Sequence, residues 1–284
     1  MGSCNSCTCI ESIEKAGAKQ IDGNDIPVKY TYEEAKLRFR PLDVIAFRGT
    51  GFLNNGVVLV ESIKNVLGGD DFKKEVWTHV GLLVNSEILP KEILKTESTN
   101  QWFIWESSTS YSVPDVENKL IMKGVQIREL KAVCDEYAKY ADTEITVFPL
   151  QANPWTDVKS NDVGQRSEGE HEEGDQKQII KTQLKQLHEF YRGRPYDFTG
   201  QCAALCCCLR GIRDNVHPLI KSIHEYAIFS SELVAAVYKR LKVLPGDTNV
   251  ENITPNDLIC DDNKLVKSDA SINILQTGKY VTMQ

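Results

Sequence analysis

Three residues far apart in the chain have the side chains that nucleophilic acyl transfer needs. His79 lies in the apolar run Thr78-His79-Val80-Gly81-Leu82-Leu83-Val84. Glu106 ends the run Trp102-Phe103-Ile104-Trp105-Glu106, and Ser230 stands in Ile228-Phe229-Ser230-Ser231-Glu232-Leu233-Val234. A hydroxyl where a loop turns into a helix gains from the helix dipole and from backbone N–H groups that can hold an oxyanion. An imidazole on a rigid neighbouring strand can take its proton, and a carboxylate one strand further can orient that imidazole. Each residue also has a plain structural role: a hydrogen-bonded core histidine, a strand-end charge, a serine N-cap. Taken singly, the plain role wins. The order of all three together favours chemistry.

A second group of reactive residues opens the chain. Gly2 with Ser6, in Met1-Gly2-Ser3-Cys4-Asn5-Ser6-Cys7-Thr8-Cys9, fits the N-myristoylation pattern. One myristoyl chain binds a membrane only marginally and reversibly, so a second signal is expected. Cys4, Cys7 and Cys9 supply it as S-palmitoylation sites. Three thiolates could instead bind zinc, but a closed site needs a fourth ligand and none stands beside them. A further cluster, Cys202, Cys206, Cys207 and Cys208, reads as small apolar residues or as a second palmitoylated patch. A metal cluster with His217 and His224 ranks third. The site is expected to hold no cofactor and no metal.

Composition limits the partners. The chain has 284 residues, with 41% hydrophobic and 26% charged, enough to bury a sizeable core. A net charge of -7 argues against nucleic acid as a partner by bulk charge. No apolar stretch is long enough to span a bilayer, and no secretory h-region is present. Nine cysteines without such a signal point to free thiols in a reducing compartment. The expected location is the cytoplasmic face of a membrane, lipid-anchored and without a transmembrane helix.

The elements that would position the three residues are legible in part. Residues 32–40 read as a short helix ended before Pro41. Strands are expected over 44–47, 78–84, 102–106 and 144–148, and the clean alternation over 124–130 predicts a half-buried strand. A helix is expected over 57–67. Residues 157–175 are acidic and poor in large apolar side chains, which predicts a flexible surface insertion. Ile180, Leu184, Leu187 and Tyr191 then mark an amphipathic helix, stopped by Gly193 and Pro195. A second helix starts near Ser230 with Leu233, Val237 and Leu241 on one face. Thr254-Pro255-Asn256-Asp257-Leu258 carries an N-cap, a proline at the first helical position and a capping-box-like Asp257. Strands early and helices later predict an α+β fold with a mainly antiparallel sheet. The expected organisation is an acylation signal and linker over 1–30, one domain over 31–265 with the acidic insertion at about 156–178, and a tail over 266–284.

The ordered motifs resemble a family. Pro41-Leu42-Asp43-Val44-Ile45-Ala46-Phe47, Thr78-His79-Val80-Gly81-Leu82, Trp105-Glu106-Ser107 and Phe229-Ser230-Ser231-Glu232-Leu233-Val234 look like the circularly permuted NlpC-type papain-like fold, which includes the YiiX/YaeF and lecithin:retinol acyltransferase groups. Gly193-Arg194-Pro195-Tyr196-Asp197-Phe198 and Thr254-Pro255-Asn256-Asp257-Leu258 resemble its flanking segments. The resemblance covers residues 40 to 258. It implies a small sheet carrying His79 and Glu106, packed on a helix that carries the nucleophile. The family nucleophile is usually Cys; here the matching position is Ser230. A thiol ionises far more readily than a hydroxyl, so a serine needs a better-placed base and oxyanion hole.

Two expectations follow. The first is a membrane-anchored hydrolase or acyltransferase acting on an amide, ester or thioester bond of a lipid, lipidated protein or peptide. The second is an inactive papain-like relative, a pseudoenzyme that binds a ligand at the membrane. An introduced Cys→Ser exchange is disfavoured by the lack of any tag or fusion scar. A blander third reading is a scaffold whose acidic insertion binds basic partners.

Overall fold

The strand-forming runs assemble into one seven-stranded sheet of order β1-β7-β6-β2-β3-β4-β5 in the computed structural model. The structure describes residues 28–48, 77–98, 100–109, 112–140, 143–157, 169–197, 227–259, 265–267 and 270–274. The strands are β1 (Lys29–Tyr30), β2 (Val44–Arg48), β3 (His79–Val84), β4 (Phe103–Ser108), β5 (Gly124–Glu129), β6 (Glu144–Phe148) and β7 (Ile272–Ile274). All pairings are antiparallel except β1 with β7. The helices are α1 (Tyr32–Ala35), α2 (Lys91–Leu94), α3 (Leu130–Tyr137), α4 (Gly169–Tyr191), α5 (Ser230–Arg240) and α6 (Pro255–Ile259). The fold is therefore α+β with a mostly antiparallel sheet. The helix expected over 57–67, the acylation signal and the cluster over 202–208 lie outside the described residues.

Both faces of the sheet are covered, which explains why the strands read as nearly unbroken apolar runs. Val80, Leu82 and Val84 of β3 face one side, packed with Leu233, Val234 and Val237 of α5 and Leu184 of α4. Leu83, with Ile45 and Phe47 of β2, faces the other side against Val133 and Tyr137 of α3.

The centre of the sheet is clamped from one corner. Asp43 is fully buried and its Oδ1 accepts from Leu150 N–H at 2.9 Å, from Arg40 Nη2 at 3.0 Å and from Asn153 Nδ2 at 3.2 Å. Burial pushes its carboxyl pKa up, despite these donors. Leu42 beside it takes a left-handed φ of 72°, an uncommon conformation for a branched residue. Its N–H donates to Leu83 O at 2.8 Å, and its carbonyl accepts from Tyr238 Oη of α5 at 2.7 Å. The strained corner thus joins β2, β3 and α5.

Four sequence expectations are changed by tertiary structure. The strand at 124–130 is buried on both sides except at Glu129, not half-buried, because its polar side chains face other strands' charges rather than water. Helix α4 begins at Gly169, so part of the acidic stretch is helical; Glu, Gln and Lys are good helix formers and carboxylates favour a helix start. Residues 272–274, expected in a tail, form β7, with Ile272 and Ile274 buried either side of Asn273. Lys29 and Tyr30, expected in the linker, form β1.

Tyr238→Phe is expected to cost about 1–2 kcal/mol, because it leaves the buried Leu42 carbonyl unsatisfied at a strained corner. Urea unfolding checks this; a midpoint unchanged from wild type would show the corner is held elsewhere.

Candidate functional site

Cross-strand register sets the site. Phe47 pairs with His79 across β2 and β3, and Glu106 pairs with Gln126 across β4 and β5. Side chains of directly opposed residues share a face. Across β3 and β4, Leu82 pairs with Trp105 and Leu83 with Ile104, so His79 and Glu106 lie on the face occupied by Leu83, Ile104 and Tyr137, and there they meet. The His79 Nε2 hydrogen-bonds Glu106 Oε2, and both residues are fully buried. The His79 ring lies 5.5 Å from Phe47, which stacks on Tyr137 at 4.4 Å.

Arg128 completes the cluster from β5. Its Nε donates to Glu106 Oε1 at 2.6 Å, and its Nη2 reaches Ser108 Oγ at 3.4 Å. Arg128 is fully buried too. Burial alone would raise the Glu106 pKa, but the Arg128 guanidinium, with His79, outweighs it and holds the carboxyl below its usual range. Glu106 is thus a fixed anion that orients the imidazole through Nε2. Any nucleophile would have to meet Nδ1, the other ring nitrogen.

A tight approach next to this pair explains Gly81. A Cβ there would lie 2.5 Å from Ile104 Cγ1 and 3.2 Å from Glu106 Cβ. The Gly in His79-Val80-Gly81 is thus required by space beside the site, not by backbone conformation.

Ser230 is fully buried at the first position of α5, with Phe229 as the N-cap. The capping role open to a serine is not the one it has here. Its neighbours are pinned: the Ile228 carbonyl accepts from Ser107 Oγ at 2.6 Å, and Ser231 Oγ donates to Ile253 O at 2.7 Å. The Ser230 Oγ itself has no hydrogen-bond partner among the described residues. It is not bonded to His79 or Glu106. The body of α5 packs on the sheet face opposite Phe47 and Tyr137. The Thr254 motif is built as its spacing suggests: Thr254 N–H donates to Asp257 Oδ2 at 2.8 Å and Asp257 N–H to Thr254 Oγ1 at 3.2 Å. From that turn, Asn256 Oδ1 accepts the Trp77 N–H at 3.1 Å, two residues ahead of His79.

Two site residues carried no sequence signal. Arg128 and Gln126 alternate with Val125 and Ile127, a pattern that normally marks a solvent face. Gln126 is buried beside Glu106, and its side-chain amide has no partner among the described residues. It helps line a cavity of about 290 Å³, shared with Asn118, Met122, His188 and Arg192. His188 is buried, and its Nε2 meets Glu117 Oε2 at 3.1 Å.

Among the described residues no group of His, Cys, Asp and Glu could hold a metal ion. The single described cysteine, Cys134, is buried and its thiol is pushed well above its ordinary pKa by that burial. No described helix is long and apolar enough to cross a membrane. Gly2, Cys4, Cys7 and Cys9 lie outside the described residues.

Compared with protein-family models, with curated proteins and with solved structures, the chain finds no match.

Arg128→Met is expected to destabilise the fold by about 3–5 kcal/mol, since it leaves the Glu106 anion buried without its main counter-charge. A carboxyl with a depressed folded pKa stabilises the fold above its unfolded value and loses that contribution as pH falls through the folded one. Without Arg128, burial raises the Glu106 pKa in the variant, so its deficit against wild type should shrink as pH falls from neutral and go on shrinking below about pH 4, the ordinary glutamate value. Thermal melts from neutral to acid pH check this; a constant deficit would mean that Glu106 is not the charge Arg128 holds.

Proposed function

We propose that the chain is a membrane-anchored hydrolase or acyltransferase of the permuted papain-like class, acting on an amide, ester or thioester bond. The observation that carries the reading is the buried His79–Glu106 couple braced by Arg128. A fixed anion on one edge of an imidazole sets its tautomer and stabilises the imidazolium that forms when the other edge takes a proton. Two features support the finer fold reading. His79 and Glu106 stand on adjacent antiparallel strands, and a helix beginning with Ser230 packs on that sheet.

In this reading Ser230 Oγ gives its proton to His79 and attacks the substrate carbonyl carbon. Backbone N–H groups at the start of α5 meet the developing oxyanion. Collapse of the tetrahedral intermediate expels the leaving group, which takes the proton from the imidazolium. Water or an acceptor then attacks the acyl-serine, with His79 as base again. The reaction requires Ser230 Oγ to come within about 3 Å of His79 Nδ1 in the substrate complex; because α5 packs on the sheet face opposite the imidazole, this takes a movement of the helix start and not a tightening alone. Myristoylation at Gly2 and palmitoylation at Cys4, Cys7 and Cys9 would hold the cleft at the cytoplasmic face of a membrane. A lipid, lipidated protein or peptide would be the substrate.

A second reading has its own observation. Ser230 Oγ makes no hydrogen bond to His79, and the family's usual thiol is missing. Both fit an inactive relative that serves as a membrane-tethered binding module.

A fluorophosphonate probe separates the two. The enzyme reading expects labelling of wild type that is lost in Ser230→Ala and in His79→Ala. It also expects Ser230→Cys to react with thiol-directed acyl probes. No labelling of wild type and no gain in Ser230→Cys would leave the binding module. That module predicts a cellular role kept by Ser230→Ala and lost in Gly2→Ala.

A further inference from the structure

Two segments lie side by side along the outer edge of the sheet. One is the loop that precedes β5, residues 112–123. The other is the end of α4 with its following turn. Val125 N–H donates to Arg194 O at 2.9 Å and Gly193 N–H to Val125 O at 3.2 Å, which stitches the turn to β5. Arg192 Nη1 bonds Glu117 Oε1 at 2.7 Å, and His188 bonds the other oxygen of the same carboxylate.

The loop is firmly built. Buried Asp115 accepts from the N–H groups of Glu117 and Asn118 at 3.0 Å through Oδ1, and from Ile127 N–H at 2.8 Å through Oδ2. Asp115 N–H donates to Leu120 O at 2.9 Å and closes the loop, while Lys119 takes a left-handed φ of 61°. At the closed tip Leu120 is 62% exposed and Ile121 53% exposed. These adjacent residues are two of the six large apolar side chains exposed among the described residues. An ordered loop that holds two adjacent aliphatic side chains in water gains nothing from them within the fold.

The charge around the tip is cationic. Lys119 and Lys123 flank Leu120-Ile121-Met122 directly, and both are exposed. Three carboxylates of the two segments have partners of their own. Asp115 binds backbone, Glu117 binds His188 and Arg192, and Glu189 faces Lys185 at 3.9 Å. In a chain of net charge -7 this concentration of cations is local.

We propose that this surface docks the folded domain on an anionic lipid bilayer. Leu120 and Ile121 enter the interfacial region, and Lys119 and Lys123 meet lipid phosphates. A short aliphatic tip flanked by two lysines matches the two attractions such a bilayer offers, apolar burial and a negative surface potential. The docking goes beyond the hydrolase reading, because it needs neither the Ser230 hydroxyl nor an acyl chain.

The test uses the full chain carrying Gly2→Ala, so that no acyl chain contributes. It is floated with vesicles of phosphatidylcholine alone and of phosphatidylcholine with phosphatidylserine. Binding to the phosphatidylserine vesicles only, weakened by added salt, is expected. Leu120→Asp with Ile121→Asp should lower the partition coefficient roughly tenfold or more, and Lys119→Glu with Lys123→Glu should do likewise. Melting temperatures should stay unchanged, since all four side chains are exposed. Leu37→Asp, at an exposed leucine elsewhere, should bind as its parent does. Vesicle binding that survives Ser230→Ala separates this surface from catalysis. Failure of the Gly2→Ala chain to bind, or equal binding by the Leu120→Asp/Ile121→Asp variant, would overturn the proposal. So would a vesicle-free dimer that this variant dissolves, since the surface would then serve self-association.

Discussion

A carboxylate that stays charged in a dry interior constrains everything near it. Removing Glu106 from water costs several kcal/mol unless close partners compensate. Those partners come from the strands on either side, His79 on β3 and Arg128 on β5. Registers that place Glu106 opposite Gln126, and Phe47 opposite His79, are the ones that close the cluster. A slip of one residue would turn Arg128 toward the α5 side and leave the anion alone. Gly81 belongs to the same constraint, because the strand next to Glu106 must come close enough that even a methyl group would collide.

The two faces of the sheet divide the work. The α3 face holds the charged cluster under Phe47 and Tyr137, all of it buried. The α5 face carries most of the aliphatic core and brings up the helix that starts with Ser230. Asp43, Leu42 and Tyr238 link the two at one corner. The segments before and after Ser230 are anchored to β4 and to the turn ahead of α6. The hydroxyl is thus held in place by its neighbours and, among the described residues, not by any bond of its own.

Much of this was legible in the sequence, and the failures are instructive. The central strands announced themselves because burial on both faces demands apolar runs. Helix α5 and the Thr254 turn followed from spacing and capping chemistry. His79 and Glu106 were legible by order, but their pairing depends on register, which only the assembled sheet fixes. Arg128 was hidden for a physical reason: a polar residue alternating with apolar ones looks water-facing until a buried counter-charge on another strand claims it. Strand β7 was hidden by its length, since three residues carry too little periodicity to stand out. The start of α4 was misjudged because a lack of apolar side chains argues against burial, not against helix.

The pairing of β1 with β7 bears on the order of events during synthesis. Lys29 and Tyr30 are bonded into the sheet through residues 273 and 274, 244 positions further along the chain. While the chain is being made, this strand has no sheet partner until residues 272–274 have left the ribosome. Closure of that sheet edge therefore waits on a pairing that no local contact can make early.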